Sequence, residues 1–170
     1  VLAQGAHERP LVFAGNDLPG VMLAGAVRSY INRYATLPGQ RAIVMTNNDD
    51  AYRTAMALHD VGARVTIVDL RAKPTGAFIR EATAAGIEIL AGHAVIVAHG
   101  NRRVARVEIA PLSSTASVID GDIVHRGCDL IGLSGGLSPA VHLPSQARGK
   151  LPWDDEELCF GPSTTHEASF

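Results

Sequence analysis

The stretch from Arg41 to Asp69 leaves this chain little choice of fold. Arg41-Ala-Ile-Val-Met45 is a short apolar run of strand length, and Thr46-Asn47-Asn48-Asp49-Asp50-Ala51 is a polar turn. Tyr52 to Val61 then continues Ala51 with Ala55, Leu58 and Val61 at helical spacing. Arg64-Val-Thr-Ile-Val-Asp69 is a second strand that ends in an acid. A strand, a helix and a second strand joined this closely favour parallel strands, with the helix crossing back over the sheet. Gly62 supplies the helix stop. The alternation then repeats, with Lys73-Pro74 opening a helix over 75–85, Gly86 ending it, and Ile87-Glu-Ile-Leu90 forming a third strand.

The flanks are read from the same periodicities. Residues 1–18 form a connecting segment, with a short strand at Leu11-Val12-Phe13 and a turn at Gly15-Asn16-Asp17. Pro19-Gly20 leads into a helix expected from Val21 to Tyr34, which Pro38-Gly39 terminates. His93–His99 and Arg103–Ile109, split by Gly100-Asn101, predict a hairpin. Val118-Ile119 and Ile123-Val124 extend it into an antiparallel meander. Residues 128–133 predict one more buried strand, and a last short strand is expected near Lys150–Trp153. The expected fold class is α/β: a Rossmann-like parallel sheet of the strands at 42–45, 65–68, 87–90 and 128–133, flanked by helices, with an antiparallel β-meander. The expected organisation is a connecting segment and helix over 1–38, a Rossmann-like NAD-type domain over 39–144, and a return segment over 145–170.

In this frame the turn carries the chemistry. A dinucleotide-binding turn reads G-x-G-x-x-G/A, with an acid roughly 20 residues further on that holds ribose hydroxyls. Here Thr46, Asn48 and Ala51 occupy the three glycine places, and Asp69 is the acid. Glycine lets the backbone approach a pyrophosphate, which sits on the free N–H groups of the helix start. Asn48 puts a side chain in that space, and Asp49 and Asp50 are expected to cap those N–H groups with their own carboxylates. A like-charge contact at ~4 Å costs on the order of 1 to 4 kcal/mol at effective dielectrics of 80 to 20. Ala51 is tolerated, because the third glycine serves helix–strand packing. The alternative reading makes Asp69 a strand cap and Arg71 a solvated loop residue. Upstream, Gly5-Ala6 with Glu8 and Arg9 is a candidate cofactor-facing loop, or else Glu8 and Arg9 form a surface ion pair.

The rest of the composition narrows the function by exclusion. With 170 residues, 46% hydrophobic and 19% charged, the chain can bury a sizeable core. A net charge of -2 and scattered Lys and Arg give no general attraction to nucleic acid or anionic membrane. No apolar run reaches the ~18–20 residues of a membrane span. Cys128 and Cys159 lack zinc or redox spacing, which makes a cytoplasmic setting the default. The seven histidines, His7, His59, His93, His99, His125, His142 and His166, show no ligand pairing, so no metal is expected. Ser134 and Ser138 have no nucleophile-elbow context. Val1-Leu-Ala3 reads as the end of a strand and Gly161-Pro-Ser-Thr-Thr-His166 as a loop, so a piece of a longer polypeptide is expected.

The segment Val1-Leu-Ala-Gln-Gly-Ala-His-Glu-Arg-Pro10 resembles the A-T-G-A-x-E-R-P segment of two-dinucleotide-domain flavoproteins, with Gln4 in the place of Thr. Asn16-Asp-Leu-Pro-Gly-Val-Met22, Tyr30-Ile-Asn-Arg-Tyr34, Thr46-Asn-Asn-Asp49, Ala51-Tyr-Arg-Thr54, Leu133-Ser-Gly-Gly136, Pro139-Ala-Val-His142 and Ser145-Gln-Ala-Arg-Gly-Lys150 resemble the alpha subunit of heterotetrameric sarcosine oxidases. That resemblance runs along nearly the whole chain and includes the Asn-Asn-Asp turn. It implies an assembly that oxidatively demethylates sarcosine to glycine, passes a one-carbon unit to tetrahydrofolate and makes hydrogen peroxide. It places FAD, FMN and substrate oxidation in a partner subunit, NAD in the first dinucleotide domain of the alpha subunit, and tetrahydrofolate elsewhere in the parent.

On this resemblance the chain is an inserted, non-catalytic second domain that works in a hetero-oligomer with the other sarcosine oxidase subunits. The candidate cofactor-contacting residues are Gly5, Ala6, Glu8 and Arg9, which would face the NAD of the parent, and Thr46, Asn47, Asn48 and Asp69 at the degenerate turn. Two further readings stand beside it, a stand-alone NAD(P)- or FAD-binding module and a structural subunit-interface domain.

Overall fold

The computed structural model describes residues 3–113, 115 and 121–162. In chain order the elements are β1 (Ala6–Glu8), β2 (Val21–Leu23), α1 (Ala24–Tyr34), β3 (Arg41–Thr46), α2 (Asp50–Asp60), β4 (Arg64–Asp69), α3 (Ala77–Ala84) and β5 (Glu88–Ala91). There follow β6 (His93–Gly100), β7 (Val104–Pro111), β8 (Val124–Gly127), β9 (Leu130–Ser134), β10 (Leu137–Pro139), α4 (His142–Gln146), β11 (Trp153–Asp154) and β12 (Cys159–Phe160). They divide into two compact units, one spanning Pro10–Gly135 and the other joining Val1–Arg9 to Gly136–Phe170.

The larger unit is built on a parallel sheet in the order β2-β9-β3-β4-β5. Two of its three interior strands, β3 and β9, explain the unbroken apolar runs. Ala42 to Thr46 of β3 and all of β9 are buried, as strands covered on both faces must be. The pleat sends alternate side chains to opposite faces. Ala42, Val44, Ile67 and Leu130 meet Val27 and Ile31 of α1, and Tyr52, Ala55 and Leu58 of α2. Ile43, Met45, Val68, Ile131 and Leu133 meet Val95, Val104, Val107 and Ile109 of the antiparallel sheet β6-β7-β8. Gly62, at φ +88°, ends α2 as expected, and the Ala63 amide behind it donates to the Leu58 carbonyl at 3.0 Å.

The described residues of the smaller unit form two short ribbons and the helix α4. β1 pairs antiparallel with β10, and β11 with β12. Trp153 and Phe160 face each other across the second ribbon, edge to face at 5.0 Å. The Arg9 guanidinium donates to the Leu158 and Glu157 carbonyls, both at 3.2 Å.

Some elements differ from the sequence reading. The helix expected from Val21 begins at Ala24, because Val21–Leu23 pairs in parallel with Ile131–Leu133. A short apolar run suits a strand and a helix start equally well, and the neighbouring strand decides. Leu11–Phe13 is not a strand. Phe13 is a buried core residue, and the pairing there is a single parallel bridge from Ala14 to Val97. The chain turns at Gly15 with φ +80°, where a Cβ would fall on the Ala98 carbonyl. The expected strand at 128–133 starts two residues later, at Leu130. The expected extension at Val118-Ile119 lies outside the described residues. The short helix α4 and the β1–β10 pairing have no counterpart in the sequence reading.

Candidate functional site

The site candidates of the larger unit stand at the C-terminal ends of β3 and β4, the edge where ligands of open parallel sheets bind. Thr46 ends β3 and Asp69 ends β4, and the two are paired neighbours in the sheet. Thr46 is buried, and its hydroxyl accepts from the Asn48 amide and donates to the Asn48 carbonyl, both at 3.0 Å. That local ring folds the turn back on itself. The Asn48 side chain closes it further: its amide donates to the Ser134 carbonyl at 3.1 Å and the Ser134 hydroxyl at 3.0 Å, and its oxygen accepts from the Asp50 amide at 3.1 Å. The Asn47 backbone amide also donates to the Ser134 carbonyl, at 3.3 Å.

Asn48 therefore supplies the side-chain bond at the start of α2. The expectation that Asp49 and Asp50 cap it with their own carboxylates is corrected. The Asp49 side chain makes no capping bond, and both acids turn outward to arginines. Asp50 pairs with Arg28 at 3.2 Å and Arg53 at 3.3 Å, and Asp49 pairs with Arg71 at 2.7 Å. A guanidinium offers a carboxylate more charge-assisted donors than the frayed end of a helix does.

Asp69 is the most deeply held group in the site, with a fully buried side chain. It accepts hydrogen bonds from the Tyr52 hydroxyl at 2.8 Å, the Arg71 amide at 2.9 Å, Arg71 Nε at 3.0 Å and Arg71 Nη2 at 2.8 Å. A carboxylate has about four acceptor positions, so these donors saturate it. Burial, and then the bond to Asp69, push the Tyr52 phenol well above its ordinary range. The bond to Asp69 likewise holds the Arg71 proton more tightly than usual. The alternative of Arg71 as a solvated loop residue fails here: its side chain is only one-third exposed and bridges Asp69 to Asp49.

Tyr52, Arg71 and Ser134 are thus the site residues that sequence reasoning passed over as partners. The spacing of Asp69 and Arg71 carried a usable signal, since an Asp side chain readily accepts from the backbone amide two residues on, as it does here at 2.9 Å.

Gly5, Ala6, Glu8 and Arg9 lie in the smaller unit. Gly5 and Ala6 are exposed, and Glu8 and Arg9 are half-buried in and beside β1. The Gly5 carbonyl accepts from the Ala140 amide at 3.0 Å, and the Arg9 amide donates to the Gly136 carbonyl at 2.8 Å, so the backbone here is fixed by the β10 segment.

Among the described residues no group of three or more His, Cys, Asp or Glu could hold a metal ion. Burial, then the Asp129 charge, push the Cys128 thiol up to about 11, far from a neutral-pH thiolate. No described helix is long and apolar enough to cross a membrane.

No protein-family model matches the chain. It is 40% identical over 164 residues to the sarcosine oxidase subunit alpha of Corynebacterium sp. (strain P-1), which covers 95% of this chain and 17% of that one. It is 36% identical over 168 residues to the sarcosine oxidase subunit alpha of Rhizobium meliloti (strain 1021), covering 94% of this chain and 15% of that one. Among solved structures, the T. acidophilum thioredoxin reductase superposes with a TM-score of 0.70 at 15% identity, over 97% of this chain and 57% of that one. That likeness shows the Rossmann-type fold. The chain spans about 17% of the length of its Corynebacterium relative, and over that stretch it is homologous to sarcosine oxidase alpha subunits.

Proposed function

We propose that this chain is a non-catalytic, degenerate dinucleotide-type domain of a sarcosine oxidase alpha subunit. The observation that carries the reading is Asp69. A ribose would need its acceptors, and Tyr52 and Arg71 already use them. A pyrophosphate would need the start of α2, where Asn48 is bonded across the turn and Asp49 adds negative charge. The residues present do not fit a dinucleotide in its ordinary pose, and no catalytic step runs through this edge.

The parent activity in this reading is oxidative demethylation of sarcosine to glycine, with hydrogen peroxide formed and a one-carbon unit passed to tetrahydrofolate. FAD and FMN belong to a partner subunit, and the assembly is a cytoplasmic hetero-oligomer. The segments over 3–9 and 136–162 lead from and back toward a first dinucleotide domain, and β2 and α1, expected in the connecting segment over 1–38, belong instead to the NAD-type frame. Gly5, Ala6, Glu8 and Arg9 face the NAD of that first domain. The exposure of Gly5 and Ala6 supports this, because small residues on a fixed backbone let a cofactor approach closely.

The test is a titration of the chain with NAD, NADP, FAD and ADP, followed by melting temperature and by equilibrium dialysis. The expected result is no saturable binding. A ligand that stabilises the chain by about 2.7 kcal/mol at ~100 times its dissociation constant would overturn the reading.

A further inference from the structure

The missing glycines are the obvious reason for such a turn to reject a nucleotide, but the geometry contains a second one. Arg71 joins the two subsites that a bound nucleotide would join. Its Nε and Nη2 sit on Asp69, the acid that a ribose would use, at 3.0 and 2.8 Å. Its Nη1 sits on Asp49, at 2.7 Å, and Asp49 immediately precedes α2, where the phosphates would lie. Asp49 thus supplies the negative charge of a phosphate, and Arg71 fills the ribose position.

We infer that the Asp49–Arg71 pair is an internal occupant of this site, and that it excludes nucleotides more strongly than the loss of the turn glycines does. The inference rests on the non-binding reading above and assigns its cause. Asp69 stands behind the plug at the end of β4, held by the Tyr52 hydroxyl at 2.8 Å, and the Arg71 side chain occupies the two acceptor positions that its removal would free. Opening the site therefore requires removal of the pair, charge for charge. Removing Arg71 alone would leave Asp49 unpaired and free to repel the phosphates.

The experiment compares four forms of the chain by isothermal titration with ADP and with 2′-deoxy-ADP. They are the wild type, Asn48→Gly, Asp49→Asn/Arg71→Gln and Asp49→Asn/Arg71→Ala. The first double variant keeps the net charge, puts a capping Asn before α2 and leaves Asp69 one amide donor, so it is the form built to stay folded. The expected result is no binding by the wild type or by Asn48→Gly. Both double variants should bind ADP at least about tenfold more tightly than the weakest affinity the titration detects, and 2′-deoxy-ADP more weakly than ADP. Binding by Asn48→Gly alone would overturn the inference, because the turn would then be the barrier. So would a folded Asp49→Asn/Arg71→Gln chain, judged by its circular dichroism, that binds no ADP. Binding by the wild type would instead overturn the non-binding reading itself.

Discussion

The two segments that carry cofactor-type residues handle their polar groups in opposite ways. In the larger unit the edge above β3 and β4 is closed on itself. Asp69 is buried and saturated, Asn48 is tied to Ser134 and Asp50, and the Arg71 guanidinium bridges Asp69 and Asp49. In the smaller unit the Gly5-Ala6 segment is exposed, its backbone fixed by the β10 segment and the half-buried Arg9 turned onto carbonyl groups. The contrast separates a cofactor frame from a cofactor site. Parallel strands and a helix start recreate the frame wherever the pattern recurs, but ligand binding needs donors and acceptors left unused. A closed edge should therefore act on stability, and an open segment should act on it very little.

The sharpest way to break that comparison is Arg71→Ala. It strips the Arg71 side-chain donors from a buried carboxylate, and such a loss costs about 3–5 kcal/mol. Urea denaturation should show the midpoint collapse, and a change under about 1 kcal/mol would mean that the edge is open to solvent after all. Tyr52→Phe comes next, at about 1.5–3 kcal/mol for a hydrogen bond to a charged group. It also has a signature in pH. The native state raises the Tyr52 phenol above its ordinary 10.0, so it holds the proton where the unfolded chain has begun to lose it. The contribution is complete below that value and declines as the pH rises past it. Wild-type stability should fall more steeply than that of Tyr52→Phe above about pH 10, and parallel alkaline limbs would count against a phenol held by burial first and by the Asp69 bond second.

How much of this was legible follows from which forces are local. The β3–α2–β4–α3–β5 order was readable because buried parallel strands and amphipathic helices write their burial into the spacing of apolar residues. β2 was not, since Val21-Met22-Leu23 suits strand and helix alike until β9 is beside it. The loss of the glycine turn was readable from Thr46, Asn48 and Ala51. Its replacement was misread: propensity favours acids as helix caps, yet Arg28, Arg53 and Arg71 drew the two carboxylates away. Arg28 and Arg71 lie on other stretches of chain, and residue spacing does not report which long side chain reaches which acid. The one local clue, Asp69 two residues before Arg71, pointed to a pair but not to its burial.

The two smallest effects test the comparison at its margins. Asn48→Ala removes the bond to the Asp50 amide and those to Ser134, and should cost about 1 kcal/mol, the typical worth of a helix-cap side chain. If Asp49 could take over that cap, as its sequence position suggests, thermal melts would show no change, and the outward pairing with Arg71 would be the weaker interaction. Arg9→Ala should cost less again, about 0.5–1 kcal/mol, because its partners are exposed neutral carbonyls that water can satisfy. Its effect belongs to the smaller unit. Limited proteolysis should therefore cut faster around Glu157–Leu158, where Leu158 sits at φ +50° and the guanidinium holds both carbonyls. The cutting rate in the larger unit should stay unchanged. Equal acceleration in both units would show that they unfold together, and the open segment would then contribute to stability no less than the closed edge does.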